Sequence, residues 1–123
     1  MKQISTPNAP AAIGPYSQGF ITGGLLFTSG QIALDPVSGE VVGATVAEQA
    51  HQVMKNLGAL LEAAGSSYEK TVKTTCFLAD MDDFAAFNQV YGQYFTGKPA
   101  SSCVAVKTLP KNVLCEVEVI AEV

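Results

Sequence analysis

The chain has 123 residues, a formal net charge of −4 and seven basic residues, all of them lysine, so it contains no arginine. This length predicts a single domain spanning residues 1–123, and a hydrophobic content of 48% is typical of a globular protein rather than of a disordered one. The acidic balance and the lack of a basic cluster argue against nucleic-acid binding through phosphate contacts. Because no segment approaches the length of a membrane span and no apolar run opens the chain, we expect a cytoplasmic protein without a membrane partner.

The cysteines and the single histidine do not form a metal-ligand pattern. Cys76, Cys103 and Cys115 are widely spaced and include no Cys-x-x-Cys pair, so we expect small buried thiols rather than disulfides or a zinc site. His51 falls on the polar side of a predicted helix, which argues against a Cys–His nucleophile pair with Cys103.

The N-terminal part of the chain predicts a loop followed by a hairpin. Three prolines between residues 7 and 15 favour an extended, ordered loop over a helix. Residues 20–22 and 25–29 have the composition of short strands, and they flank Gly23-Gly24, a dipeptide typical of tight hairpin turns.

Residues 45–64 predict an amphipathic helix. Thr45 and Glu48 form a Thr-x-x-Glu capping box at its start, and Gly65 follows as a stop signal. Apolar side chains recur along it at helical spacing, namely Val46, Ala50, Val53, Met54, Leu57, Leu60, Leu61 and Ala64.

The second half of the chain predicts a strand, a helix and two more strands. Residues 70–78 are rich in threonine and valine, and Asp82-Asp83 opens a helix with an aromatic face. Residues 102–107 and 114–121 form the last two strands. A strand–helix–strand order predicts a crossover unit, and two helices can cover only one face of a single sheet. We therefore predict an α+β fold with a single mixed sheet and two helices packed on one face.

Side-chain alternation predicts what the uncovered face of this sheet carries. Glu116 falls on that face, together with large aliphatic side chains. On the preceding strand, alternation places Val104 and Val106 under the helices, and Ser101 and Cys103 on the uncovered face with Glu116, provided that the strands share one sheet. A face that mixes carboxylates and aliphatic groups suits a subunit interface that encloses polar chemistry.

Several blocks of the sequence, in this order, are found together in a known family. They are residues 8–19, 28–32, 72–75, 99–104 and 115–121, with Asp83-Phe84 and Asn88 on the second helix. Together they resemble the RidA (YjgF) family of enamine/imine deaminases over almost the whole chain. The resemblance implies a chorismate-mutase-like fold and a homotrimer with clefts between subunits. It implies hydrolysis of 2-iminobutanoate, 2-iminopropanoate and their enamine tautomers to 2-oxo acids and ammonia, without a cofactor or metal.

The resemblance also implies roles for individual residues. Glu116 resembles the carboxylate that positions the attacking water, although Glu118 lies on the same nominal face. Ser101 stands where the family has the arginine that binds the substrate carboxylate. Because a serine hydroxyl cannot form the two parallel hydrogen bonds of a guanidinium, we expect impaired activity. The other substrate-binding positions implied are Tyr16, Ser29, Gly30, Asn88 and Cys103, the last through its backbone.

Each of these residues also has a structural interpretation. Glu116 could be one of two solvated carboxylates on a strand, and Asn88 could cap a loop or bridge strands. Tyr16 could be an ordinary half-buried tyrosine, and Ser29-Gly30 a strand end that needs glycine for its backbone geometry. Lys107 is the nearest lysine along the strand from Ser101, but the sequence does not indicate that it reaches the site.

Two other functions remain open at this point. The missing arginine favours a non-catalytic trimeric module that binds a small metabolite or a protein. Ribonuclease activity has been ascribed to some relatives of the family, but the negative net charge of this chain argues against it.

Overall fold

The computed structural model describes residues 1–123 and contains six strands and two α-helices. The strands are β1 (Lys2–Ile4), β2 (Gly19–Thr22), β3 (Leu25–Thr28), β4 (Thr71–Leu78), β5 (Ala100–Ala105) and β6 (Cys115–Glu122), and the helices are α1 (Val46–Ala63) and α2 (Phe84–Tyr94). Short 3₁₀ turns lie at Tyr68–Lys70, Met81–Asp83 and Pro110–Asn112.

All six strands form one mixed sheet in the order β1-β2-β3-β6-β4-β5. Neighbouring strands are antiparallel except β4 and β5, which run parallel and are connected by α2, as the crossover prediction requires. The last strand, β6, lies between β3 and β4, so its side chains occupy the middle of both faces of the sheet.

Helix α1 begins and ends where its sequence signals predict. The Thr45 hydroxyl accepts a hydrogen bond from the Glu48 backbone N–H at 3.2 Å, and the Glu48 carboxylate accepts one from the Thr45 N–H at 3.1 Å. This reciprocal capping box satisfies two of the free N–H groups at the helix start. Gly65, one residue after the cap Ala64, has a φ of 76°, a conformation that glycine adopts without steric cost.

The hairpin between β2 and β3 is also confirmed. Gly23 and Gly24 have φ values of 59° and 76°, the left-handed conformations that a two-residue hairpin turn of this type needs at both positions. The strand β1 was not predicted, because it has only three residues and only Ile4 of them is buried.

The proline-rich loop before β2 has no regular strand or helix, and its conformation is held by Gln18. This buried side chain accepts a hydrogen bond from the Thr6 N–H at 2.7 Å and donates one to the Pro10 carbonyl at 2.8 Å. The loop that carries Tyr16 is therefore held in place by hydrogen bonds to the buried Gln18 side chain.

Both helices pack on one face of the sheet and form the core with it. The fully buried side chains include Leu57 and Leu61 of α1, Phe87 of α2, and Val117 and Val119 of β6. Neither helix is long and apolar enough to cross a membrane.

His51 lies between the two helices rather than on a solvated face of α1. Its Nδ1 atom is 2.8 Å from the Tyr94 hydroxyl, and the two rings meet edge to face. The prediction that His51 lies on the polar side of α1 is therefore wrong, because α2 packs across that part of α1.

The orientation predicted for β5 is wrong. In the parallel pairing, Ser101 lies beside Thr74 and Cys103 beside Cys76, and both of these β4 side chains are buried under the helices. Ser101 and Cys103 therefore face the helix side of the sheet, whereas Val104 lies on the opposite face with 49% of its surface exposed. Hydrophobic alternation failed here because β5 is an edge strand, on which apolar side chains do not mark the covered face.

Val106, which was predicted to lie under the helices with Val104, follows the end of β5. It is half-buried, and its backbone N–H donates to the Leu78 carbonyl at 2.9 Å. This bond extends the pairing of β5 with β4 by one residue beyond the strand.

Candidate functional site

The predicted site residues lie in two separate cavities of the chain. The Glu116 cavity has a volume of about 850 Å³ and is lined by Glu116, Tyr16, Ser29 and Gly30, among others. The Ser101 cavity has a volume of about 650 Å³, and its lining includes the other three predicted residues, Asn88, Ser101 and Cys103. The split follows from the sheet, because Glu116 lies on its uncovered face and Ser101 on its helix side.

Gly30 is held directly against the Glu116 side chain. Gln31 follows Gly30, and Val117 follows Glu116. These two residues form an antiparallel bridge, with N–H···O distances of 2.8 and 3.1 Å. A β-carbon on Gly30 would lie 2.9 Å from Cδ of Glu116 and 3.1 Å from its Oε2 atom. The glycine therefore permits this close approach, since a β-carbon would require the Glu116 side chain to shift, and it is not required by an unusual backbone conformation of its own.

The environment of Glu116 favours its protonated form. Burial raises the pKa of this half-buried carboxyl group, and the negative charge of Glu118 raises it further. Glu118 itself is exposed, two residues along the same face of β6. Of the two candidate carboxylates, Glu116 is the one that lines the cavity, and its raised pKa makes it the candidate for proton transfer.

Tyr16 and Ser29 are fixed at the rim of the same cavity by backbone contacts. The Ser29 hydroxyl donates to the Ser17 carbonyl, and the Ser29 N–H donates to the Gln18 carbonyl at 2.9 Å. The hydroxyl proton is thus used within the chain, and only lone pairs of the Ser29 oxygen remain to meet a ligand. The Tyr16 side chain is 54% exposed and lines the open side of this cavity.

A chain of three hydroxyl groups leads to the Ser101 cavity. The buried Thr74 hydroxyl donates to Ser101 Oγ at 2.8 Å and lies 2.7 Å from the Tyr91 hydroxyl. Because the Thr74 hydroxyl has one proton, Tyr91 must donate to Thr74. The Ser101 hydroxyl, which accepts from Thr74, can donate its own proton either to the neighbouring Cys76 sulfur or to a ligand in the cavity.

Asn88 and Cys103 contribute different groups to this cavity. Asn88 is exposed on α2, and its side chain lines the Ser101 cavity. Cys103 is half-buried, and burial raises the pKa of its thiol. The neighbouring Cys76 thiol has a pKa raised by burial to about 12. Both groups are therefore neutral thiols rather than nucleophilic thiolates.

Lys98 is a lining residue that the sequence analysis missed. It is the one charged residue among those that line the Ser101 cavity, whereas Lys107, which we had considered, lines neither cavity. Lys98 lies three positions before Ser101, and this proximity is the sequence signal that could have identified it. The lining of the Glu116 cavity also includes Asp35 and Lys111.

Comparison with known proteins shows which family and which relatives the chain is similar to. Residues 6–123 match the profile of the family described as endoribonuclease L-PSP. The chain is 49% identical over 121 residues to the 2-iminobutanoate/2-iminopropanoate deaminase of Mus musculus, covering 98% of this chain and 90% of the mouse protein. It is 55% identical over 124 residues to a Lactococcus lactis protein named as a candidate regulator, AldR, covering 100% of this chain and 98% of the relative.

A solved structure shows the same fold. The crystal structure of the YjgF gene product of E. coli, which is 49% identical, superimposes with a TM-score of 0.94 and covers 99% of this chain and 98% of the other. The chain therefore belongs to the endoribonuclease L-PSP family, the family of the RidA and YjgF proteins.

Proposed function

We propose that this protein is an enamine/imine deaminase that hydrolyses small 2-imino acids with diminished efficiency. The observation that carries the proposal is the Glu116 carboxyl group, which has a raised pKa and lines a cavity with Gly30 packed against it. The deaminase name of the mouse relative supports the reaction class.

Glu116 can perform the proton transfers that imine hydrolysis needs. As a carboxylate, it accepts a proton from a water molecule while the water oxygen bonds to the carbon of the protonated imine, C=NH2+. The product of this addition is a carbinolamine, which has a hydroxyl and an amino group on one carbon. The Glu116 carboxyl group then returns the proton to nitrogen, and the C–N bond breaks. Ammonia leaves, the hydroxyl oxygen becomes the carbonyl of the 2-oxo acid, and the hydroxyl proton passes to the Glu116 carboxylate, which releases it to ammonia or solvent. A raised pKa suits a group that must both accept and donate the proton.

We further propose that the working site forms between copies of the chain in a homotrimer. The Glu116 cavity of one subunit would face the Ser101 cavity of its neighbour, which unites the two groups of predicted residues. Exposed apolar side chains support an interface, because Phe27, Val72 and Val104 are 39%, 44% and 49% exposed. Phe27 and Val104 lie on the same face of the sheet as Glu116.

Diminished efficiency follows from the chemistry of Ser101. Its hydroxyl can donate one hydrogen bond to a substrate carboxylate, whereas the arginine of the family pattern would donate two and would carry a charge. Loss of such a charged contact from a partly desolvated site costs on the order of 2–5 kcal/mol. We therefore expect turnover well below that of relatives that have the arginine.

A non-catalytic binding module is the second candidate. The missing arginine and the regulator name of the Lactococcus lactis relative favour it. Ribonuclease activity, suggested by the family description, is disfavoured by the net charge of −4 and by the absence of arginine. Salt-sensitive RNA binding by the purified protein would be needed to support it.

Steady-state hydrolysis of freshly generated 2-iminobutanoate separates an enzyme from a binding module. We expect slow turnover that Glu116→Gln abolishes and that the matched variant Glu118→Gln largely retains. Turnover that does not exceed the rate of the Glu116→Gln variant would exclude the deaminase. Size-exclusion chromatography with light scattering tests the trimer, and a monomer would contradict the shared site.

A further inference from the structure

We propose that Lys98 supplies the positive charge that holds the substrate carboxylate in the Ser101 cavity. This inference rests on the proposed function, because a 2-imino acid carries a carboxylate that needs a partner. It assigns the role of the missing arginine, binding of the substrate carboxylate, to a lysine three positions earlier in the sequence.

The first argument is the charge distribution of the Ser101 cavity. Lys98 is the one charged residue in its lining, and much of the remainder is aromatic, including Phe84, Phe87 and Phe95. Lys98 is itself exposed, so its ammonium is accessible to an anion and its attraction for a carboxylate is that of a partly solvated pair. An anion that enters this cavity therefore has one cationic partner available from the lining.

The second argument is the backbone conformation of Lys98. Its φ is 53°, in the left-handed region, where a residue with a β-carbon is disfavoured relative to glycine. The Lys98 N–H donates to the Phe95 carbonyl at 3.2 Å, which closes the turn after α2, and Pro99 restricts the chain that follows. Lys98 shares this left-handed conformation with Lys111 and Asn112, and it is the one of the three that lines the Ser101 cavity.

The third argument is the donor that Ser101 presents to the same cavity. Since the Ser101 oxygen accepts from Thr74, the Ser101 proton can turn from the weak acceptor Cys76 to one carboxylate oxygen. The Lys98 ammonium can meet the other oxygen with any of its three N–H groups. A lysine is a mobile point charge without the planar fork of a guanidinium, so this pair binds a carboxylate more weakly than arginine would.

Binding of 2-oxobutanoate, measured by isothermal titration calorimetry, tests the role of Lys98 without requiring turnover. We expect Lys98→Gln to raise the Kd by about 10-fold, less than the loss of a desolvated charged contact because Lys98 is exposed, and Lys98→Arg to retain the affinity. Lys98→Gly removes the charge in a residue that accepts the observed φ, so it should lose the same affinity while folding normally. Lys107→Gln is the matched control and should bind as the wild type does.

A neutral ligand distinguishes a charge contact from a structural role. The amide 2-oxobutanamide lacks the negative charge, so its affinity should be the same for wild type and Lys98→Gln. Equal loss of affinity for both ligands would overturn the proposal, as would unchanged binding of 2-oxobutanoate by Lys98→Gln or a wild type that does not bind 2-oxobutanoate.

The outcome for Lys98 is separable from the outcome for the proposed function. If the wild type hydrolyses 2-iminobutanoate and Lys98→Gln does so with unchanged KM and kcat, the Lys98 proposal fails and the deaminase stands. If 2-oxobutanoate binds in a Lys98-dependent way but the wild type does not hydrolyse the imine, Lys98 is confirmed as the carboxylate partner and the deaminase fails.

Discussion

Gly30 and Glu116 are in contact so close that a β-carbon on residue 30 would come within 2.9 Å of the Glu116 carboxyl carbon. The contact joins a residue two positions after the end of β3 to the second residue of β6, and the Gln31–Val117 bridge maintains it. Any side chain at position 30 must therefore displace the Glu116 carboxylate or the backbone that carries it.

We expect Gly30→Ala to reduce imine hydrolysis by about 10- to 100-fold, because small displacements of a catalytic group are costly to the rate. The rate should be measured together with thermal unfolding, since the backbone φ of Gly30 does not require glycine. A variant that folds and keeps the wild-type rate would show that the position of Glu116 is not limiting.

The pH dependence of turnover should report the raised pKa of Glu116. The carboxylate form is the base, so kcat/KM should fall as the pH is lowered through this pKa, at a higher pH than an ordinary glutamate would give. Glu118→Gln removes the second cause of the shift and should move the acid limb to lower pH. An acid limb that is the same in both proteins would contradict the coupling between these carboxylates.

Glu116→Gln should stabilise the fold at neutral pH while it abolishes turnover. Because the folded state raises the pKa of Glu116, it binds the proton more tightly than the unfolded chain, whose ordinary value is 4.5. The stability from this group is therefore present below that value and is lost as the pH rises through the folded pKa. Glutamine resembles the protonated form, so its advantage in Tm should be largest at neutral pH.

A matched measurement checks the sign of this effect. The difference in Tm between Glu116→Gln and the wild type should disappear below a pH of about 4.5, where both states of the wild type are protonated. An advantage that persists unchanged at low pH would indicate a packing effect of glutamine instead.

Ser101→Arg should raise imine hydrolysis by at least about 10-fold, because it restores a bidentate, charged partner for the carboxylate. Ser101 is exposed at the edge strand β5, so a longer side chain can extend into the Ser101 cavity. Ser101→Ala is the control and should not raise the rate. Equal rates for wild type and Ser101→Arg would show that this position does not limit catalysis.

Thr74→Val should destabilise the fold by about 1–2 kcal/mol, because it removes the hydroxyl that bonds both Tyr91 and Ser101. Thr74 is completely buried, and valine has nearly the same shape, so lost hydrogen bonds dominate the change. Urea unfolding of Thr74→Val, Tyr91→Phe and the double variant measures the coupling. Strictly additive losses would contradict a direct bond between the two hydroxyls.

The sequence by itself determined the elements whose signals are local. The start of α1 is encoded by Thr45 and Glu48, and the turn between β2 and β3 by Gly23-Gly24, so both were predicted correctly. The blocks that resemble the RidA (YjgF) family identified the family without any knowledge of the fold. These features need only residues within a few positions of one another, or a match in order along the chain.

Only the tertiary structure decided which residues share a cavity. Alternation predicted that Ser101 shares the uncovered face of the sheet with Glu116, but the pairing of β5 with β4 turns Ser101 toward the helix side, next to Thr74. Likewise, Lys98 lines the Ser101 cavity because the turn after α2 directs the chain there, whereas Lys107 does not. The face that an edge strand presents is set by hydrogen bonds to a strand more than twenty residues away in sequence, and side-chain alternation does not encode that choice.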